Sequence, residues 1–107
     1  MPQRVFFLNT LHSNVDPADY EDWVRTVDYP VARRQPAIES YVVSRLEGQL
    51  QEDNDDPLPC QYLEVIEITD IDSYRAGLQG NPDMEDLLTE WATYVDKSQM
   101  VWAEVVE

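Results

Sequence analysis

Two patterns of hydrophobic residues occur along this chain, one typical of strands and one typical of helices. They follow one another in the same order in the first and the second half. Short runs of continuous or alternating apolar residues predict strands, and longer runs with apolar residues three and four positions apart predict helices. The pattern predicts strand, helix, strand and then strand, helix, strand. In chain order these segments are residues 4–11, 17–34, 38–46, 61–68, 71–95 and 100–106.

This order predicts an α+β fold with ferredoxin-like βαββαβ topology, an antiparallel sheet with two helices on one face. The first helix is expected to begin with Asp16 as its cap and Pro17 at its first position. Because proline disfavours helical backbone at the residue before it, a bend is expected at Tyr29-Pro30. The second helix is predicted in two pieces, since Gly80 interrupts it.

The predicted strands are apolar on both of their faces. Residues 5–8 read Val-Phe-Phe-Leu and residues 62–66 read Tyr-Leu-Glu-Val-Ile, so large side chains point to opposite sides of the sheet. Two helices on one side would leave the other apolar side in water. A second copy of the same sheet would cover that face, so we expect a homodimer of the dimeric α/β-barrel type.

Composition limits the classes of function that the chain can have. The 107 residues predict a single domain over residues 1–107, and Asp and Glu total 22 against 7 Lys and Arg, with Lys97 the only lysine. A net charge of −15 repels phosphate backbones, so no nucleic-acid partner is expected. The acidic run at residues 52–56 predicts a solvated loop. The scarcity of lysine would also suit a salt-rich cytoplasm, in which crowded carboxylates are screened.

Targeting signals and cysteine usage predict where the chain works. No apolar run approaches the ~20 residues that a membrane helix needs, and no secretory signal pattern is visible, so we expect a cytoplasmic protein without a membrane partner. Cys60 is the only cysteine, which excludes an internal disulfide. One histidine and one cysteine cannot build a zinc or iron site, and no glycine-rich phosphate loop is present. Acid–base chemistry without metal or cofactor is what remains.

Two residues are candidates for proton transfer. His12 stands at the carboxyl end of the first strand. Histidine is the residue type that can hold or release a proton near neutral pH, although here it could instead cap the strand end. Glu64 lies in the middle of an apolar strand, where a carboxylate is costly to bury unless it is paired or faces a polar cavity. A structural ion pair of Glu64 with Arg45 is the alternative to a catalytic role.

The remaining candidates would bind a substrate. Trp23 and Trp91 come from the two predicted helices, and with His12 they are expected to line one pocket. The strand residues that could reach the same pocket, as donors, acceptors or an anion contact, are Thr10, Arg45 and Tyr62. Several aromatic side chains together would suit a planar aromatic ligand, although core packing explains them as well. Asp28, beside the predicted bend, could be either a local cap or a functional acid.

Five short blocks of the chain resemble the RedY-like (HapK) family of the dimeric α/β-barrel superfamily. They are residues 15–23 (VDPADYEDW), 28–30 (DYP), 37–45, 61–66 (QYLEVI) and 101–107. The resemblance implies a homodimer whose two sheets face each other, and a place in secondary-metabolite pathways such as prodiginine synthesis. The wider superfamily includes cofactor-free monooxygenases, polyketide cyclases and isomerases, as well as proteins with no known reaction.

Two functions are consistent with these observations. The first is a small cofactor-free enzyme that catalyses cyclisation, condensation or isomerisation of an aromatic or carbonyl intermediate, with His12 or Glu64 as the proton carrier. The second is a protein that binds a metabolite or a pathway partner and catalyses no reaction.

Overall fold

The computed structural model describes residues 1–107 and contains one four-stranded antiparallel sheet with helices on one face. The strands are β1 (Gln3–Leu11), β2 (Ile38–Arg45), β3 (Tyr62–Ile68) and β4 (Val95–Glu104), in the spatial order β2-β3-β1-β4. The helices are α1 (Pro17–Trp23), α2 (Tyr29–Ala32), α3 (Ile71–Leu78) and α4 (Pro82–Tyr94). This is the predicted ferredoxin-like α+β fold. No helix has the length and apolar character needed to cross a bilayer.

Helix starts follow the local chemistry of the sequence. The carboxylate of Asp16 accepts the backbone N–H of Ala18 at 2.9 Å, and Asp70 accepts that of Ser73 at 2.7 Å. Asn81 caps α4 in the same way, directly before Pro82. Between α3 and α4 the chain breaks as predicted, at a glycine with φ of +64°.

The predicted interruption at Tyr29-Pro30 is present as a π-helical turn between α1 and α2, Val24–Asp28. Proline lacks an N–H and cannot complete the ordinary helical bond, whereas the Tyr29 N–H donates to the Val24 carbonyl five residues earlier. The chain therefore continues as a helix through the proline. Asp28, at the end of this turn, is buried.

Alternate strand residues face the helices and form the core. On β1 these are Val5, Phe7, Asn9 and Leu11, and on β3 they are Tyr62, Glu64, Ile66 and Ile68. Strand β4 begins five residues earlier than predicted, at Val95. Its first half lies at the sheet edge and is mostly polar and exposed, so the sequence there has no apolar alternation that could predict a strand.

The opposite face of the sheet has no helix against it. One apolar row crosses all four strands there, because Val42 pairs with Val65, Val65 with Phe6, and Phe6 with Val101. The two outer members, Val42 and Val101, are 51% and 43% exposed. This row is the apolar second face that the sequence predicts.

Candidate functional site

Glu64 is the centre of a buried polar cluster between the sheet and the helices. It points to the helix side of β3 and is only 3% exposed. Its Oε2 accepts the Asn9 side-chain amide and, at 3.2 Å, the Trp91 indole N–H. Its Oε1 lies 2.7 Å from the Tyr41 hydroxyl. Three donors thus converge on one carboxyl group, which favours its ionised form.

Tyr41 joins Glu64 to a second buried carboxyl group, that of Asp28. The Tyr41 hydroxyl lies 2.6 Å from Asp28 Oδ2, and Asp28 is also 3% exposed. A hydroxyl has a single proton and can donate to only one of two carboxylates. For both contacts to be hydrogen bonds, one carboxyl group must itself be protonated. Because Glu64 has three donors and Asp28 has only Tyr41, the arrangement assigns the extra proton to Asp28.

Burial is the main cause of the raised pKa values in this cluster. It raises the pKa of Asp28 from 3.8 to about 7, with the Glu64 charge adding to the effect and the Tyr41 bond and Arg33 opposing it. Burial also raises the pKa of Glu64, although Tyr41, Asn9 and Trp91 counteract it. The pKa of Tyr41 is raised by burial and by both carboxylates. The two acids therefore titrate as a coupled pair.

A row of polar side chains orients Glu64 from the far edge of the sheet. Ser98 on β4 donates its hydroxyl to Asn9 Oδ1 at 2.6 Å, so the amide nitrogen of Asn9 is turned towards Glu64. With Tyr41 and Asp28 beyond it, the row crosses β4, β1, β3 and β2 in spatial order. Such a continuous network holds each member in one orientation.

The cluster opens onto a small, mainly apolar cavity of about 30 Å³ beneath α3 and α4. Eleven of its thirteen lining residues are apolar or aromatic, and the other two are Asp28 and Glu64. No Lys, Arg or His lines it. The apolar and aromatic lining residues are Phe7, Ala32, Ile38, Tyr41, Ile66, Tyr74, Leu78, Met84, Leu87, Leu88 and Trp91. The cavity has room for roughly two water molecules.

The structure divides most of the residues that the sequence singled out between two places. Glu64, Trp91 and Asp28 line the cavity, whereas Thr10, Arg45 and Tyr62 line a surface groove of about 360 Å³. Tyr62 and Arg45 form a separate group, in which the Tyr62 hydroxyl donates to Glu21 at 2.6 Å and Arg45 pairs with Glu21 and Glu47, each at 3.0 Å. The expected Glu64–Arg45 pair is therefore wrong. Strand register is the reason, because Arg45 lies opposite Tyr62 and not opposite Glu64.

The other expected site residues lie outside the cavity. Thr10 lines the surface groove of about 360 Å³, near Cys60, and does not line the cavity that contains Glu64. Trp23 packs in the core, where its ring lies 6.2 Å from that of Tyr20 and 5.2 Å from that of Tyr94. The expectation that His12, Trp23 and Trp91 line one pocket is wrong, since only Trp91 does so.

His12 closes the end of a helix in this structure. Its ring Nε2 lies 3.0 Å from the Ala92 carbonyl, and its backbone N–H donates to Tyr94 at 2.9 Å. Both carbonyls belong to the last turn of α4, where no intrahelical partner is available. The ring Nδ1 lies 3.6 Å from Asp96. These contacts hold the end of β1 against the end of α4.

The sequence-based predictions did not include Tyr41 and Asn9 in the site, and they left Asp28 open between a local cap and a functional acid. Their positions in the sequence are the signals that could have identified them as members of the site. Asp28 stands four residues after Val24 and eight after Tyr20, on the buried stripe of the first helix. Asn9 occupies an inward position between the apolar residues of β1. A polar side chain at an otherwise apolar inward position needs a partner, which is the clue that links them.

Fold and site define an antiparallel ferredoxin-like domain with a buried acid pair between sheet and helices. A family model described as "REDY-like protein HapK" matches residues 3–106, so the chain belongs to that family. A comparison with curated proteins finds no match.

Similar solved structures show the same fold. HapK from Hahella chejuensis is 22% identical with a TM-score of 0.78, and the match covers 97% of this chain and 92% of that one. A dimeric ferredoxin-like protein of unknown function from Thermobifida fusca is 19% identical, with a TM-score of 0.72 and coverages of 98% and 92%. SnoaB from Streptomyces nogalater, a cofactor-independent oxygenase, is 20% identical, with a TM-score of 0.69 and coverages of 100% and 96%.

Proposed function

We propose that this protein is a cofactor-free acid–base catalyst of secondary metabolism that cyclises, condenses or isomerises an aromatic or carbonyl intermediate. The observation that supports the proposal is the buried pair of Asp28 and Glu64, bridged by the Tyr41 hydroxyl at 2.6 and 2.7 Å beside an apolar cavity. A purely structural pair of carboxyl groups would be costly to keep away from water and cations. Pairs of acids with shifted proton affinities are typical of catalytic sites.

The two acids have different tasks in this proposal. Glu64, as carboxylate, removes a proton from a carbon next to a carbonyl group, and Asp28, as neutral acid, donates its proton at the position where the substrate gains one. The site is then reset through Tyr41. Its hydroxyl passes its proton to the Asp28 carboxylate and accepts the proton from Glu64, so no net charge enters or leaves the cavity. Trp91 holds the Glu64 carboxylate and contributes a flat wall for the substrate.

The other predicted residues have no part in this chemistry as we propose it. Tyr62 and Arg45, bound to Glu21, line a separate cavity of about 90 Å³ and, together with Thr10, the surface groove. Thr10 lies at the groove, Trp23 supports α1, and His12 caps α4, as described above. Membership of the HapK family and the fold shared with a cofactor-independent oxygenase support cofactor-free chemistry, in a pathway such as prodiginine synthesis.

Proton abstraction by Glu64 can be tested with a probe substrate. We expect the protein to accelerate deuterium exchange at C1 of 2-tetralone, an uncharged aromatic ketone, in heavy water, as followed by proton NMR. Glu64→Gln should slow the exchange by about 100-fold or more, because the base is lost while the shape is kept. Glu67→Gln is the matched control, since Glu67 is on the same strand but partly exposed and pairs with Arg4. Exchange that is equally fast with Glu64→Gln would contradict the proposal.

A non-catalytic binding protein is the second candidate. The surface groove of about 360 Å³ favours it, because this groove has room for a ligand and neither acid of the buried pair lines it. The same exchange experiment separates the two candidates. A protein that binds the ketone but does not accelerate its exchange would be a binding protein.

We propose further that the working unit is a cytoplasmic homodimer formed through the uncovered sheet face. The row of Val42, Val65, Phe6 and Val101 supports this, because it would otherwise expose apolar surface across all four strands. Light scattering at micromolar concentration is expected to give twice the mass of one chain. Val65→Asp should give a monomer, since a carboxylate would then be buried at the centre of the contact. A wild-type monomer would contradict the proposal.

A further inference from the structure

The charged side chains that line the cavity of the proposed site are all acidic. They are Asp28 and Glu64, and all the other lining residues are apolar or aromatic. Arg33 is the cation that acts on Asp28, but its guanidinium stacks 3.8 Å from the centre of the Tyr29 ring and donates to the Tyr41 carbonyl at 2.8 Å. It does not line the cavity. A ligand carboxylate or phosphate would therefore enter a place without a cation and beside an existing negative charge.

A ligand in the cavity can form hydrogen bonds with those polar atoms of the lining residues that can still donate or accept one. Glu64 Oε2 accepts two bonds and the Trp91 indole N–H is used within the cluster, whereas Glu64 Oε1 accepts only the Tyr41 hydroxyl and keeps one lone pair. Asp28 uses Oδ2 for Tyr41 and has no protein partner on Oδ1. The hydroxyl of Tyr74 also has no protein partner, and its pKa is raised by burial and by the nearby charges of Glu64 and Asp28. A ligand hydroxyl can donate to Asp28 and accept from Tyr74 at once, whereas a ring N–H can only donate, to Asp28.

The cavity has a neighbour through which such a ligand can enter. A second cavity of about 70 Å³ lies between the end of α3 and the start of β2. Tyr74, Leu78, Ile38 and Met84 line both cavities, so they form the wall between the two. A cavity that binds benzene has a volume of roughly 150 Å³, so one aromatic ring requires both spaces and an outward rotation of this wall.

We infer that the site selects an uncharged aromatic ring that carries a hydrogen-bond donor, a phenol or a ring N–H compound, and that it rejects aromatic carboxylates. This inference deepens the proposed function by naming the substrate class, and it rests on that proposal only for the location of the site. Rejection of anions results from the acid pair, and the preference for a donor results from the free oxygen of Asp28. The shape of the ring is matched by Phe7, Trp91 and Tyr74.

Three probes of equal ring size test the selection: phenol, anisole, which lacks the donor, and benzoate, which is an anion. Binding is followed by NMR at the Trp91 indole N–H, assigned with Trp91→Phe, while the exposed Trp102 on β4 reports nonspecific binding. We expect phenol to shift the Trp91 signal saturably, anisole to bind about tenfold more weakly, and benzoate to bind weakest. Leu78→Ala, which opens the wall, should tighten phenol binding.

Two results would overturn the inference: benzoate binding as tightly as phenol, or no phenol shift at Trp91 up to its solubility limit. The double variant Asp28→Asn/Glu64→Gln should remove most of the discrimination against benzoate, because it removes the charge and keeps the size. If it keeps the full discrimination, the acid pair is not the cause and the inference is wrong. Selective phenol binding together with deuterium exchange that survives Glu64→Gln would refute the proposed function but not this selection.

Discussion

Between about pH 5 and about pH 8, the wild-type protein is expected to lose about 2.5 kcal/mol of its unfolding free energy through Asp28. The Asp28→Asn variant should not show this loss. The pKa of Asp28 is 3.8 without its environment and about 7 in the fold, so the folded state holds a proton that the unfolded chain has released. This contribution to stability is complete below about pH 4 and disappears as the pH rises through about 7. Asparagine resembles the neutral acid at every pH.

The measurement is chemical denaturation of both proteins across this pH range. The other carboxylates of this acidic chain also make stability depend on pH, so the difference between the two curves is the quantity to compare. We expect Asp28→Asn to lie close to wild type at low pH and above it at high pH. Asp22→Asn is the matched control, because Asp22 is exposed on the same helix and should run parallel to wild type. A parallel curve for Asp28→Asn would mean that Asp28 holds no extra proton.

Tyr41→Phe is expected to destabilise the protein by about 3 kcal/mol at about pH 8. Removal of the hydroxyl takes the bridging hydrogen bond away from two buried carboxyl groups, Asp28 and Glu64. At about pH 5 the cost should be smaller, because a neutral acid without its partner is less unfavourable in the core than a charged one. Thermal and denaturant unfolding at both pH values measure the two costs.

Tyr74→Phe is the matched control for this variant. Tyr74 is a buried tyrosine that lines the same cavity, but its hydroxyl has no protein partner. Its loss should therefore change the unfolding free energy by less than about 1 kcal/mol at either pH. Equal costs for the two tyrosines would show that loss of any buried tyrosine hydroxyl, and not loss of the bridge between the acids, accounts for the effect of Tyr41.

The elements of this fold can be predicted from the sequence because the hydrophobic pattern of each one extends over several turns or several strand residues. The stripe of Tyr20, Trp23 and Val24 and the alternation along β3 each allow only one kind of element. Strand β4 was predicted too short, because its first residues lie at an edge in water and local pattern says little about such a position. The inward place of Glu64 could also be predicted, since its two neighbours on that face are apolar.

The partners of Glu64 could not be predicted from local pattern. Pairing of β2 with β3 depends on register across a connection of residues 46–61, and a long connection does not determine register. A shift of two residues would have placed Arg45 opposite Glu64, whereas the structure places Val43 there. For Asp28, the choice between cap and buried acid depends on a π-helical turn that brings the end of this helix onto the core. The orientation of the His12 ring depends on where α4 ends, which is also a tertiary property.

In this structure, Asp28 and Glu64 share one proton through Tyr41. The most direct test is an NMR titration of the side-chain carboxyl carbons in protein labelled at Asp and Glu, with Asp28→Asn and Glu64→Gln used for assignment. We expect the Asp28 carboxyl carbon to titrate with a midpoint near pH 7 and the Glu64 signal to respond to the same transition. The sharing of one proton is contradicted if both carboxyl carbons titrate below about pH 5, as exposed acids do.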